Sequence, residues 1–185
     1  MGYIVPQLMA AWRSCPVPRP NFKEIRESLA FFEKTRRVLG RKHLVIDAAG
    51  GHGALAIAFG VSGCTQQAIV ADLRKRPRSF ENLRAAWMQP HSTVECNVLY
   101  EQIDLSDSDW LRSLLAREKV MPSNTAVVGV HACGTLTDAL IDACVEARVD
   151  FAVMPCCHGR GKDPRHQKLR EAAKALGIPL AVATD

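Results

Sequence analysis

Apolar residues recur along this chain in two alternating patterns, one helical and one extended. Phe22, Ile25, Leu29 and Phe32 follow helical spacing, which predicts a helix over residues 21–39 ended by Gly40. Next comes "HLVIDAAGGHG", a short β-branched run opening into glycines, and then "ALAIAFGV", a helix of small residues. "QAIVAD" predicts a second strand and "NVLYEQID" a third, with Phe80, Leu83 and Trp87 marking the helix between them. Ser106 and Asp109 form a capping-box pattern ahead of Trp110, Leu111, Leu114 and Leu115. "AVVGVHACG" reads as a fourth strand, and Thr135 with Asp138 caps a helix whose buried face is Leu136, Leu140 and Cys144. "VDFAVMPCC" is a fifth strand, Asp163-Pro164 opens a helix that Gly177 stops, and "IPLAVATD" is a sixth strand.

Strands that are apolar throughout, separated by helices, belong to a parallel sheet covered on both faces. The predicted fold class is therefore a doubly wound, mostly parallel α/β sheet. Such sheets bind ligands beyond the carboxyl ends of their strands, where the strand order reverses. The loops after Asp47, Asp72, Asp104, His131 and Pro155 then share one working edge.

Composition narrows the class. With 185 residues, 48% of them hydrophobic and 23% charged, the chain has room for one domain with its own core, assigned to residues 21–185. No apolar run reaches the roughly 20 residues of a membrane helix, so no membrane partner is expected. Residues 1–20 carry Arg13 and Arg19, no acid, and Pro16, Pro18 and Pro20, and read as an extended basic arm; an organelle-targeting remnant is the alternative. Seven cysteines, with Cys156 beside Cys157, make a poor disulfide framework. That favours an intracellular, reducing compartment: the cytoplasm or an organelle such as the mitochondrion. A net charge of +5 is a mild hint of an anionic partner.

The glycine loop carries the most chemistry. Gly51 and Gly53 permit a tight strand-to-helix turn and a close backbone approach to a ligand. Gly51-x-Gly53-x-x-Ala56, with Asp72 further on, also satisfies a loose dinucleotide fingerprint. Electrostatics separate the candidates. Asp47 stands where a dinucleotide would place its anionic pyrophosphate and would repel it. S-adenosylmethionine has no phosphate and offers an ammonium and a sulfonium that a carboxylate attracts. Asp72 is placed to accept from ribose hydroxyls and Asp104 from an adenine amino group, while helix capping is the bland alternative for each acid.

"LVIDAAGGHG", "ADLR" and "EQID" resemble the cofactor motifs of class I, Rossmann-type methyltransferases. "NFKEI", "VHACGTLTD" and "VMPCCHG" are similar to one branch of them, the eukaryotic tRNA 2′-O-methyltransferases of the acceptor stem and related methyltransferase-like proteins. The resemblance spans about residues 21–160. It implies adenosylmethionine as cofactor, with contacts at Asp47, Ala49, Gly50, Gly51, Gly53, Asp72, Leu73, Asp104 and His131. Ala49 departs from the pattern, standing where that loop usually has its first glycine. Class I sheets also add a seventh, antiparallel strand that is not seen here, so a protein partner or a missing segment is expected to cover the edge of the sixth strand.

His131 ends the fourth strand beside the expected methyl group, where an imidazole would orient or deprotonate an acceptor; a structural histidine is the alternative. Cys133, Cys156, Cys157 and His158 gather at the ends of neighbouring strands. They contain no C-x-x-C pair for zinc, and adjacent cysteines form only a strained bridge, so no metal is assigned. They read as the lining of an acceptor pocket, with Cys156 and His158 joining His131 as candidate catalytic groups. Arg74, Lys75, Arg76 and Arg78 follow the second strand, and Arg160, Lys162, Arg165, Lys168 and Arg170 follow the fifth. Placed there they could neutralise phosphates, with a solvated helix face as the alternative, and it is mostly the family resemblance that implies RNA as the substrate. The leading expectation is methyl transfer to RNA, at a hydroxyl or a base; the rival is an inactive methyltransferase fold serving as scaffold in a ribonucleoprotein.

Overall fold

In the computed structural model, which describes residues 4–88, 96–132 and 134–154, the apolar runs pair as one parallel sheet. Its strands are β1 (Lys42–Ala48), β2 (Thr65–Asp72), β3 (Asn97–Gln102), β4 (Thr125–Val130) and β5 (Asp150–Met154), in the order β3-β2-β1-β4-β5. The helices are α1 (Ile4–Arg13), α2 (Phe22–Leu39), α3 (Ala54–Val61), α4 (Arg78–Met88), α5 (Trp110–Glu118) and α6 (Thr135–Ala147). The predicted sixth strand, the helix before it, and Cys133, Cys156, Cys157 and His158 lie outside the described residues.

The continuous apolar strands have a simple cause: both faces of the sheet are covered. Val45, Ala68, Val70 and Val128 point into one core with α1 to α4. Their neighbours Leu44, Ile46, Ile69 and Val127 point into a second core with α5 and α6. Because β1 pairs with β2 on one side and β4 on the other, the chain reverses direction across the sheet between β1 and β4. The loops after those two strands therefore open side by side, forming the switch-point crevice.

Two local expectations are corrected. Residues 4–13, expected as part of an extended arm, form α1, which buries Leu8 and Trp12 against the core. Leu8 and Trp12 stand four apart, a helical spacing, and Pro6 falls in the first turn, where an amide has no intrahelical acceptor to lose. Thr135 is the first residue of α6 rather than its cap; Gly134 holds the cap position, without a side-chain bond. The hydroxyl of Thr137 instead donates to the Ala132 carbonyl.

At α2 the start and stop signals are both realised. Asn21 Oδ1 accepts from the Glu24 amide at 2.9 Å and Glu24 Oε2 accepts from the Asn21 amide at 3.0 Å, a reciprocal capping box. Gly40 ends the helix at φ 67. This capping fixes where the first turn of α2 lies, and that turn forms one wall of the site.

Candidate active site

A cavity of about 150 Å³ opens at the switch point. Its floor is Asp47 of β1 with the loop Ala49, Gly50, Gly51 and His52, and the first residues of α3. Val130 and His131 close it at the end of β4, Arg74 from beyond β2, Glu24 and Ser28 from α2, and Pro20 from just before that helix.

Asp47 is 2% exposed. Its Oδ2 accepts from the Ala56 amide at 3.1 Å, so it serves the first turn of α3 as a remote cap while also facing the cavity. Burial pushes its carboxyl up to about 7; the Ala56 and Leu55 amides oppose the rise and the charge of Asp72 adds to it. Gly50 lies so close that a Cβ there would stand 2.6 Å from the Asp47 carboxyl carbon. The glycine is needed to let the loop fold onto the acid.

Asp72, 5% exposed, ends β2 and ties the loop down. Its Oδ2 accepts from the Gly51 amide at 2.9 Å, and its Oδ1 from the Arg74 amide at 2.9 Å and Nε at 3.3 Å. Asp104 sits outside the cavity lining and is exposed. Its Oδ1 accepts from the amide and hydroxyl of Ser106, which hold its carboxyl below the ordinary aspartate range. Ser106 is spent in that turn, and the expected capping box with Asp109 does not form: Asp109 caps α5 without a side-chain bond. Leu73 is 62% exposed beside Asp72.

Two histidines face α2 across the cavity. His52 Nε2 is 3.8 Å from Glu24 Oε2, and its Nδ1 is 2.5 Å from Ser79 Oγ. His131 Nε2 is buried without a hydrogen bond, with Glu27 Oε2 3.5 Å away. His131 also takes φ 78, a left-handed conformation that non-glycine residues seldom adopt. Backbone strain and an unsatisfied buried nitrogen thus coincide on the residue that leaves β4 at the switch point. Sequence reasoning placed Asp47, the glycines and His131 here, but missed Glu24, Glu27, Ser28 and His52. The Asn21-x-x-Glu24 spacing was a readable sign of where α2 begins.

Ala49 takes φ 54. A left-handed L-residue costs about 1–2 kcal/mol, while glycine costs about 0.5–1 kcal/mol in unfolded-chain entropy. Ala49→Gly is therefore expected to stabilise the fold by up to about 1 kcal/mol, read as a higher urea midpoint. A lower midpoint would show that packing by the Ala49 methyl outweighs its strain.

Among known proteins, short segments match. The chain is 51% identical over 37 residues to a glutathione S-transferase C-terminal domain-containing protein of Xenopus laevis, covering 20% of this chain and 6% of that protein. It is 47% identical over 32 residues to the human protein so described, covering 17% of this chain and 5% of its relative. The matches thus span only about one twentieth of the length of these curated relatives. A far longer match, over residues 21–161, is to the family described as a methyltransferase domain. It takes in the five described strands and every wall of the cavity except Pro20, and the chain belongs to that methyltransferase-domain family.

Proposed function

We propose that this chain uses S-adenosylmethionine as methyl donor and transfers the methyl group to RNA, at a hydroxyl or a base. One observation carries the donor: Asp47, a buried acid held by the Ala56 amide, walls a cavity at the switch point in a chain of a methyltransferase family. Burial makes ionising this acid costly, and a cationic ligand beside it lowers the cost.

The residues present fit the donor unevenly. A cavity of about 150 Å³ is smaller than the roughly 300–1,000 Å³ of ordinary ligand sites, so it fits the amino-acid end, with Asp47 and Glu24 drawing the positive groups. The nucleoside end falls to Asp72, Leu73 and Asp104 along the neighbouring loops. Asp72 has about four acceptor positions, of which Gly51 and Arg74 use three. Ribose hydroxyls must therefore displace the Arg74 side chain, which is 78% exposed and held at 3.3 Å. When bound, the donor supplies an activated methyl group. The chain's own part is to place the acceptor and take its proton, the role we give to His131, backed by Glu27.

The partial fit also supports the second reading, a methyltransferase fold kept as a scaffold in a ribonucleoprotein. Calorimetric titration separates the two. Saturable heat with adenosylmethionine is expected, and no heat at millimolar ligand would reject the enzyme. Labelled donor incubated with total cellular RNA then tests the acceptor.

A further inference from the structure

The corner between α1 and α2 is held by more hydrogen bonds than a surface connection requires. Trp12 Nε1 donates to the Pro20 carbonyl at 3.0 Å. Arg19 donates to the carbonyls of Trp12, Arg13 and Cys15 at 3.1, 2.7 and 2.9 Å, and its guanidinium lies 4.9 Å from the Trp12 ring. From α4, the Asn82 amide donates to the carbonyls of Pro16 and Pro18. Yet this fixed corner leaves Phe22 50% exposed.

Phe22 does not stand alone. Its ring tilts against Trp12 with centroids 5.7 Å apart, and the Arg26 guanidinium lies 6.0 Å from its centroid. Arg13, Lys23 and Arg26 are all exposed, and the first 23 residues contain no acid. The nearby acids of α2 are engaged elsewhere: Glu24 in the capping box, and Glu27 between His131 and Lys23. Helical geometry puts Phe22 and Arg26 on the flank of α2 opposite Glu24 and Ser28, which line the cavity. Platform and cavity are thus about one helix width apart, roughly 10–12 Å.

We propose that this corner is a platform for single-stranded RNA, on which a base stacks against Phe22 while Arg13 and Arg26 meet the flanking phosphates. It rests on the reading of the acceptor as RNA. Every base has a face to stack, so a rigid exposed ring binds single strands with little regard to sequence. The guanidinium now over that ring is the cation that a base replaces, and it then stands beside the backbone. An acidic protein would use the charges but has no need of the ring.

Anisotropy of a short fluorescein-labelled oligouridylate tests the proposal, with Lys119→Gln, at the turn after α5, as a control for losing one charge. Phe22→Leu is expected to weaken binding about fivefold or more with an unchanged unfolding midpoint. Arg26→Gln is expected to make the log–log salt slope shallower by about 0.7, and Lys119→Gln to leave affinity and slope unchanged. Native-like affinity in Phe22→Leu would overturn the platform and leave RNA as acceptor. A native chain that takes adenosylmethionine but no RNA would overturn both, leaving the methyl donor reading in place.

Discussion

At pH 8, Asp47→Asn is expected to unfold at higher urea than the native chain, and to take up no adenosylmethionine. An unfolded aspartate releases its proton near pH 4, whereas folded Asp47, driven by burial, keeps it up to about 7. Between those limits the folded state holds the extra proton. The stability this proton confers is complete below about pH 4, declines as pH rises through the window, and is gone above about 7. At roughly 1.4 kcal/mol per pH unit, the decline amounts to a few kcal/mol. Asparagine never ionises and escapes it. Its carbonyl can still accept from Ala56, so the variant gives up about 1 kcal/mol for a lost amide acceptor. The native chain is then the more stable below about pH 4 and the variant at pH 8. Parallel pH profiles would show that Asp47 is already ionised in the folded chain.

The ligand side has the same origin. A cation beside Asp47 favours its charged form, so binding below pH 7 should release a proton. Affinity should rise from pH 6 to 8, and the heat should vary with the ionisation enthalpy of the buffer. Asp47→Asn removes both effects with the binding itself. A variant that binds with native affinity would mean that the cavity holds something other than a cation.

Much of this was legible because it rests on local patterns. A sheet covered on both faces leaves no alternation in its strands, so "LVI" and "AVVGV" announced their burial. The glycine loop was legible because close backbone approach admits few other residues, and Asp47 because an acid ending such a strand is electrostatically conspicuous. The α2 wall was not. Glu24, Glu27 and Ser28 sit among Lys23, Arg26 and Lys34 on what looks like a solvated helix face; only the return of α2 over the switch point gives Glu24 and Ser28 a cavity to line and brings Glu27 to His131. The role of Asp72 was also only half visible. Sequence places it at the end of a strand, but its bond to the Gly51 amide links residues 21 apart and exists only in the folded sheet. Arg74 was assigned to phosphates, yet it leans back on Asp72 because its own amide already caps that carboxylate.

Gly53→Ala is expected to cost about 1–4 kcal/mol, a large share of the 5–15 kcal/mol that holds a typical domain together. Two penalties add. Gly53 takes φ +73 at the cap of α3, which costs an L-residue about 1–2 kcal/mol, less about 0.5–1 kcal/mol that alanine saves in unfolded-chain entropy. A Cβ there would also stand 2.6 Å from Phe80 Cδ2 and 2.8 Å from Val70 Cγ2. Phe80 and Val70 are both fully buried, so neither can move aside without disturbing the core, and overpacking of this kind costs about 1–3 kcal/mol. Gly51 supplies the control. It has φ +53, but the atom that its Cβ would approach is an Arg74 guanidinium nitrogen at 3.5 Å, the end of an exposed side chain. Gly51→Ala should therefore lose only the backbone part, up to about 1 kcal/mol once the lower unfolded-chain entropy of alanine is counted. Urea unfolding of the two variants separates strain from collision. Equal losses would mean that Phe80 and Val70 yield, and that the close packing of this turn against α4 contributes little to the stability of the site.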